Sequence, residues 1–320
     1  MTPFKPISDN LFLSKNDPED YRLGDFIKPA LISELSKADS YCILGYPDDE
    51  GIKLNNGRLG AAVAPTTIRQ YLYKMTPPVL SGPELFDAGD LNLNVDLPTR
   101  HQFAQTGIQA LHARRIRTIS LGGGHDYGYP DASAFLNANL NANLSQKSRP
   151  LVINFDAHLD VRPDKNGFNS GTPFFRLLNE FSGRFDFAEV GIQPQCNSLA
   201  HREWALAKQA SIFTLNELNN NGGLKNLFQH PLFSQLTKAT PVFISFDIDC
   251  LTSTEAPGCS QSWVTGLKTE DCLQFMAKLS KVCDLRGLGI YEVSPPLDLH
   301  NQTSKTAALL AYNFIYQGLL

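Results

Sequence analysis

A three-layer α/β/α fold around a central, mostly parallel sheet is what this 320-residue sequence predicts. Three features predict it. Short apolar runs recur along the chain, amphipathic stretches alternate with them, and acidic and histidine residues cluster where the runs end.

The apolar runs are Tyr41–Gly45 (YCILG), Thr118–Leu121 (TISL), Leu151–Phe155 (LVINF), Phe187–Gly191 (FAEVG), Val242–Phe246 (VFISF) and Leu288–Glu292 (LGIYE). Each is rich in β-branched or aromatic residues and almost continuously apolar, as suits a strand covered on both faces. Helical patterns lie between them. Pro65–Lys74 places Ile68, Tyr71 and Leu72 on one face, and Asn197–Ala210 sets Leu199, Trp204 and Leu206 among polar residues. Lys268–Val282 carries Leu273, Phe275, Met276 and Leu279 on one stripe, with Thr269 as the expected N-cap, and Ser304–Leu319 is a further helix. Strand and helix alternating in this way specify a parallel α/β layer structure.

The repeat NANLNANL at 137–144 reads as a helix end and loop, and Asn219–Gly223 as the clearest loop. No linker-like run and no repeat of roughly 20–50 residues divides the chain. One domain spanning 1–320 is therefore expected, with the first forty residues as an extension without a motif. A net charge of −4 with 19% charged residues offers no general attraction to nucleic acid or to an anionic membrane. No apolar run approaches the roughly 20 residues of a membrane helix, and the N-terminus has no secretory pattern. The six cysteines, Cys42, Cys196, Cys250, Cys259, Cys272 and Cys283, form no Cys-x-x-Cys pair. They read as small core residues in a reducing cytoplasm.

The candidate chemistry lies at four run ends, where open α/β sheets bind ligands. After TISL come Gly122-Gly123-Gly124-His125-Asp126, a turn that glycine permits and that a histidine follows. After LVINF come Asp156-Ala157-His158-Leu159-Asp160; if the strand continues, alternation puts the three polar side chains on one side. After VFISF come Asp247-Ile248-Asp249, two carboxylates that would repel without a cation. After LGI come Tyr291-Glu292-Val293-Ser294-Pro295. Taken singly, each could be a solvated turn. Together they offer more mixed oxygen and nitrogen ligands than one tetrahedral ion needs, and fit two cations such as Mn2+.

At these residues the chain resembles the ureohydrolase superfamily of arginases, agmatinases and formimidoylglutamases. The resemblance includes Gly45-Tyr46-Pro47-Asp48-Asp49-Glu50-Gly51, Asn56–Ala61 (NGRLGA), Pro65–Arg69 (PTTIR), Asp87–Asp90 (DAGD) and Glu292–Asp298 (EVSPPLD), with Ser294 where the family usually has Asn. It runs from about residue 41 to the end. It implies an arginase-like fold and a binuclear manganese site. One metal would take His125, Asp156, Asp160 and Asp247. The other would take Asp156, His158, Asp247 and Asp249, so that Asp156 and Asp247 bridge. Water acidified by two cations would attack an amidine or guanidine carbon. Asp249 is the expected proton shuttle, and Glu292 the expected partner of the substrate's cationic C–N group.

The loop after Asp160 resembles formimidoylglutamases within the superfamily. Arginases and agmatinases usually carry His directly before its glycine; here Ser170-Gly171-Thr172-Pro173-Phe174 has Ser170 at that place. N-Formimidoyl-L-glutamate, hydrolysed by those relatives to formamide and L-glutamate in histidine breakdown, has two carboxylates. Arg162 suits carboxylate recognition, with Asn169, Ser170 and Thr172 as further expected contacts; the competing reading pairs Arg162 with Asp164. Gly191–Ser198 is expected at the pocket rim, with Cys196 not a nucleophile. His101, His112, His201, His230 and His300 are expected outside the site. A guanidino hydrolase releasing urea and a non-catalytic metal-binding homologue are the alternatives. The expected partner is a small amidine or guanidine, and a homo-oligomer is compatible with the sequence.

Overall fold

The structure, a computed structural model, describes residues 3–140 and 149–317. The second half of the 137–144 repeat lies outside the described residues; its first half ends a helix. In chain order the elements are β1 (Phe4–Lys5), β2 (Ile27–Pro29), β3 (Tyr41–Gly45), α1 (Glu50–Leu54), α2 (Ala64–Leu72), β4 (Leu85–Leu91), α3 (Leu97–Ala113), β5 (Arg117–Leu121), α4 (Gly128–Leu140), β6 (Leu151–Phe155) and α5 (Pro173–Glu180). There follow β7 (Asp186–Ile192), α6 (Leu199–Ala207), β8 (Ser211–Thr214), α7 (Leu215–Asn220), α8 (Pro231–Ser234), β9 (Pro241–Asp247), α9 (Thr269–Val282), β10 (Asp284–Tyr291) and α10 (Gln302–Ile315).

All ten strands among the described residues join one sheet in the order β1-β4-β3-β5-β10-β9-β6-β7-β8, with β2 also on β4. Every pairing is parallel except β1 with β4. Alternation explains why the strands are apolar throughout. Ile43, Ile153 and Phe155 pack into a core with α2, α9 and α10, whereas Cys42, Leu44 and Val152 face the opposite layer of α3, α4 and α5.

The structure enlarges the predicted strand set. β1, β2, β4 and β8 had no matching run, and the first forty residues supply two strands to the outer edge of β4, at Leu85–Asp87 and Asp90–Leu91. The acids of Asp87–Asp90 have a structural role. Arg69 of α2 is fully buried and donates through Nε to Asp87 (2.7 Å) and through Nη1 to Asp90 (2.6 Å). Two carboxylates around a desolvated guanidinium satisfy donors that would be costly to leave open. Thr269 is not an N-cap: it is the first helical residue of α9, and Glu255 Oε2 accepts its N–H instead. Asp298, at the end of the EVSPPLD segment, caps α10 by accepting from the N–H groups of Thr303 and Ser304 (both 3.1 Å).

Candidate metal centre

Three strand ends and one turn carry the predicted ligands to the carboxyl edge of the sheet. β5 runs into Gly122 (φ 73°) and Gly123 (φ 82°). A Cβ on Gly123 would lie 2.9 Å from the Tyr46 carbonyl oxygen, so only glycine lets the chain turn here. That turn delivers His125 at the start of a short 3₁₀ turn. Its ring stacks on Tyr291 and meets Phe174 edge-on. Nε2 lies 2.8 Å from Ser245 Oγ. That contact leaves Nδ1 free to act as a ligand atom.

His125 Nδ1 faces three carboxylate oxygens, of Asp156 (3.1 Å), Asp160 (3.0 Å) and Asp247 (3.1 Å). Yet this buried nitrogen makes no hydrogen bond among the described residues. A lone pair surrounded by acceptors is repulsive unless a cation or proton sits between them. Beside it, His158 Nδ1 approaches Asp156 (3.4 Å) and Asp249 (3.1 Å). Two donor groups result, His125–Asp156–Asp160–Asp247 and Asp156–His158–Asp249, each with ligand atoms within 4.8 Å of one another. Asp156 belongs to both. Asp247 belongs only to the first; its Oδ1 accepts the Asp249 N–H (2.9 Å), which closes the 3₁₀ turn after β9. Two imidazoles and four carboxylates fit hard-to-borderline divalent ions such as Mn2+.

Strand alternation is not what gathers these side chains. β6 ends at Phe155, and Asp160 has a left-handed backbone (φ 48°). Its reversed chain direction returns the carboxylate to the cluster. Glu292 likewise lies one residue past β10 with φ 63°, and its Oε1 accepts the His125 N–H at 3.0 Å. Non-glycine residues in this region cost about 1–3 kcal/mol each and concentrate at functional sites.

The proton balance of the cluster follows from its crowding. Burial opposes charge on His125, but Asp156, Asp160 and Asp247 raise its pKa well above the usual imidazole value. Burial likewise opposes charge on His158, and Asp249 first among its neighbours raises its pKa. Desolvation, then Asp156, pushes Asp160 up to about 6. Desolvation also raises Asp247 and Asp249, and lifts Glu292 to about 8. Burial opposes charge on Asp156, but the two imidazoles beside it, His125 and His158, hold its pKa low. Without cations the cluster keeps protons that divalent ions would displace.

The centre lies in a cavity of about 360 Å3. His158, Asp160, Asp247, Asp249 and Glu292 line it, together with Arg162 and Ser170. Arg162 Nη1 donates to Asn55 Oδ1 (3.2 Å), not to Asp164, and Asn55 Nδ2 donates to Ser170 Oγ (3.0 Å). Asn169 and Thr172 do not line it. The Thr172 hydroxyl bonds the Asn169 backbone, and Asn169 Oδ1 accepts the Gly171 N–H (2.9 Å); they shape the loop. Cys196, Asn197 and Ser198 form part of the wall, as expected for the segment after β7. His201 also lines the cavity, contrary to its expected place outside the site, as do Gln261 and Trp263. Ser198 caps α6 by accepting the His201 N–H (3.2 Å), which places the imidazole one turn into the helix at the rim. The signal for His201 was its position three residues after that cap.

Comparison with known proteins supports the same centre. The Arginase family model matches residues 39–316. Formimidoylglutamase of Streptococcus gordonii is 30% identical over 303 residues, covering 93% of this chain and 86% of its own length. Formiminoglutamase of Trypanosoma cruzi with manganese superposes with a TM-score of 0.78 at 27% identity, covering 92% of this chain and 97% of that one. Formimidoylglutamase of Bacillus subtilis gives a TM-score of 0.80 at 25% identity, over 95% and 94% of the two chains. The chain belongs to the arginase family.

Proposed function

We propose that this protein is a binuclear manganese hydrolase of linear amidines, and that N-formimidoyl-L-glutamate is its substrate. The observation that carries the metal chemistry is the His125 nitrogen facing three carboxylate oxygens with no hydrogen bond of its own among the described residues. The acidic substrate is supported by Arg162, whose guanidinium lines the same cavity with a neutral partner, Asn55.

His125, Asp156, Asp160, Asp247, His158 and Asp249 would hold a manganese pair, which when bound would supply acidified water as the nucleophile. The protein's residues do the rest. Glu292, on the cavity wall, pairs with the cationic formimidoyl nitrogen and orients the amidine carbon toward the ligand cluster. Arg162 binds a substrate carboxylate, and the Ser170 hydroxyl and Asn55 amide fix its approach. Asp249 carries the proton that the departing glutamate amine takes up. A guanidino substrate with a second cationic group would meet Arg162 as a like charge.

The chain 1–320 is read as one domain, because strands from residue 4 to residue 291 share one sheet. A cytoplasmic setting is supported by six cysteines that are all unpaired. No helix among the described residues is long and apolar enough to cross a membrane. The test is incubation of manganese-loaded protein with formimidoylglutamate, arginine and agmatine, with product identification. Formamide and glutamate are expected. Urea from arginine or agmatine would replace the substrate reading, and no turnover of any amidine or guanidine would replace the enzymatic one.

A further inference from the structure

A row of three polar side chains crosses the sheet beneath the metal ligands. Ser245, Asn154 and Glu189 are in register on the adjacent strands β9, β6 and β7. Ser245 and Asn154 each stand two residues before a predicted ligand, Asp247 and Asp156. The next row on that face, Phe243, Val152 and Phe187, is entirely apolar. Ser245 has a partner in His125. Glu189 has no such partner at the centre. It is fully buried, its Oε1 makes no hydrogen bond among the described residues, and burial raises its pKa well above the usual carboxyl value. Packing alone would favour an apolar residue of its size, because an acid buried in this way is costly.

Asn154 connects Glu189 to the centre. Its Nδ2 donates to Glu189 Oε2 at 2.8 Å and to Asp156 Oδ2 at 3.3 Å. An amide NH2 carries two donors, and here both are spent on carboxyl groups. The reversed amide would aim its own oxygen at two carboxyl oxygens, so Glu189 and Asp156 together select the orientation. Asp156 is thereby held at both oxygens. Its Oδ1 accepts the His158 N–H at 2.7 Å, and its Oδ2, held by Asn154, lies 3.1 Å from His125 Nδ1. Asp156 is also the residue shared by the two donor groups, so its tilt bears on both.

We propose that Glu189 is a positioning residue of the metal centre: it fixes the Asn154 amide, which in turn aims the Asp156 oxygen that faces His125. This role rests on the manganese reading of the site and extends the centre to a residue that does not line its cavity. Removing an outer partner that orients a metal ligand typically costs ~10–100-fold in metal affinity.

The experiment is a calorimetric manganese titration of the full chain freed of metal, with thermal melting of the metal-free forms alongside. Glu189→Met should weaken manganese binding by about tenfold or more. Glu189→Gln keeps the side-chain length and an acceptor for Asn154, and should bind within a few-fold of the parent protein. Asn154→Leu should lose at least as much as Glu189→Met. The double variant Asn154→Leu/Glu189→Met should lose no more than Asn154→Leu alone, because the two residues act through one contact. Losses that add in the double variant would overturn the proposal, as would a Glu189→Gln that binds as weakly as Glu189→Met. Unchanged affinity in Glu189→Met would overturn it too, and a lower melting point in that same variant would assign Glu189 to packing. No manganese on the parent protein would instead refute the metal reading, and this role with it.

Discussion

At the carboxyl end of the sheet, Asp156, Asp160, Asp247, Asp249 and Glu292 crowd around two imidazoles. At the amino end, Arg115, Arg117, Arg286 and Lys238 surround Asp39 and Asp284. Each end keeps a buried nitrogen without a hydrogen-bond partner among the described residues: Nδ1 of His125 at the first, Nη1 of Arg286 at the second. The difference is in how they are built. The acidic end is assembled from residues just past the strands, using two left-handed non-glycine residues to aim carboxylates inward. The basic end uses residues at the strand starts and the turns before them. An acceptor-rich cluster calls for cations, so the acidic end names its ligand class by what its own side chains fail to supply, whereas the basic end spends Arg117 on Asp39 and Lys238 on the Ser280 carbonyl.

The largest effect expected at the acidic end is from Asp156→Ala. Asp156 belongs to both donor groups. Even changes to residues that only support metal ligands cost ~10–100-fold. Asp156→Ala should therefore lose more than about a hundredfold in activity together with its manganese, checked by elemental analysis and turnover on the same sample. Activity retained at full metal content would remove Asp156 from its bridging role. Ser245→Ala should cost about 10–100-fold in manganese affinity, because it frees the far nitrogen of His125; a metal titration checks this.

Arg162→Ala separates substrate recognition from the acidic cluster. Loss of a hydrogen bond to a charged group costs about 1.5–3 kcal/mol, so KM for an acidic substrate should rise ~10–100-fold. Manganese content should stay unchanged. An unaltered KM in steady-state kinetics would take Arg162 out of the substrate site.

A last effect, on stability rather than on activity, is a pH dependence that belongs to neither end. Asp131 is fully buried, accepts from Tyr291 Oη at 2.7 Å and is raised by burial to about 6. Below about pH 4 it is neutral in the folded and unfolded chains alike. Between about 4 and 6 the unfolded chain gives up its proton while the folded one keeps it. Folded protein then binds more protons, and stability falls as pH rises. Relative to Asp131→Asn, the parent protein should lose up to about 2–3 kcal/mol across that window and no more above it. Urea unfolding from pH 4 to 8 measures this; a parallel profile for the two proteins would refute it.

The contrast between the ends also shows what a sequence discloses. The clustered acids and histidines were legible because they fall within a few residues of apolar runs whose strand character is plain. Their grouping around each imidazole was less so. Asp247 spends one oxygen on the Asp249 N–H, a local turn that motif spacing does not encode. The edge strands β1, β2 and β4 were not legible, since FK, IKP and LFDAGDL carry charges, proline or glycine that read as loop. They exist because β4 buries its acids against Arg69, eighteen residues before Asp87 in the chain. Asn55, Arg162 and Ser170 meet across more than a hundred residues, and so do Arg117 and Asp284. Such pairs follow from the strand order, which brings β5 beside β10, and no local pattern announces them.

The central claim is that two cations complete the acidic end. Manganese counted per chain after loading and removal of free ion tests it most directly. Two ions per chain in the parent protein, and a loss of both in Asp156→Ala, are predicted. One ion or none in the parent, or two retained in Asp156→Ala, would contradict the account.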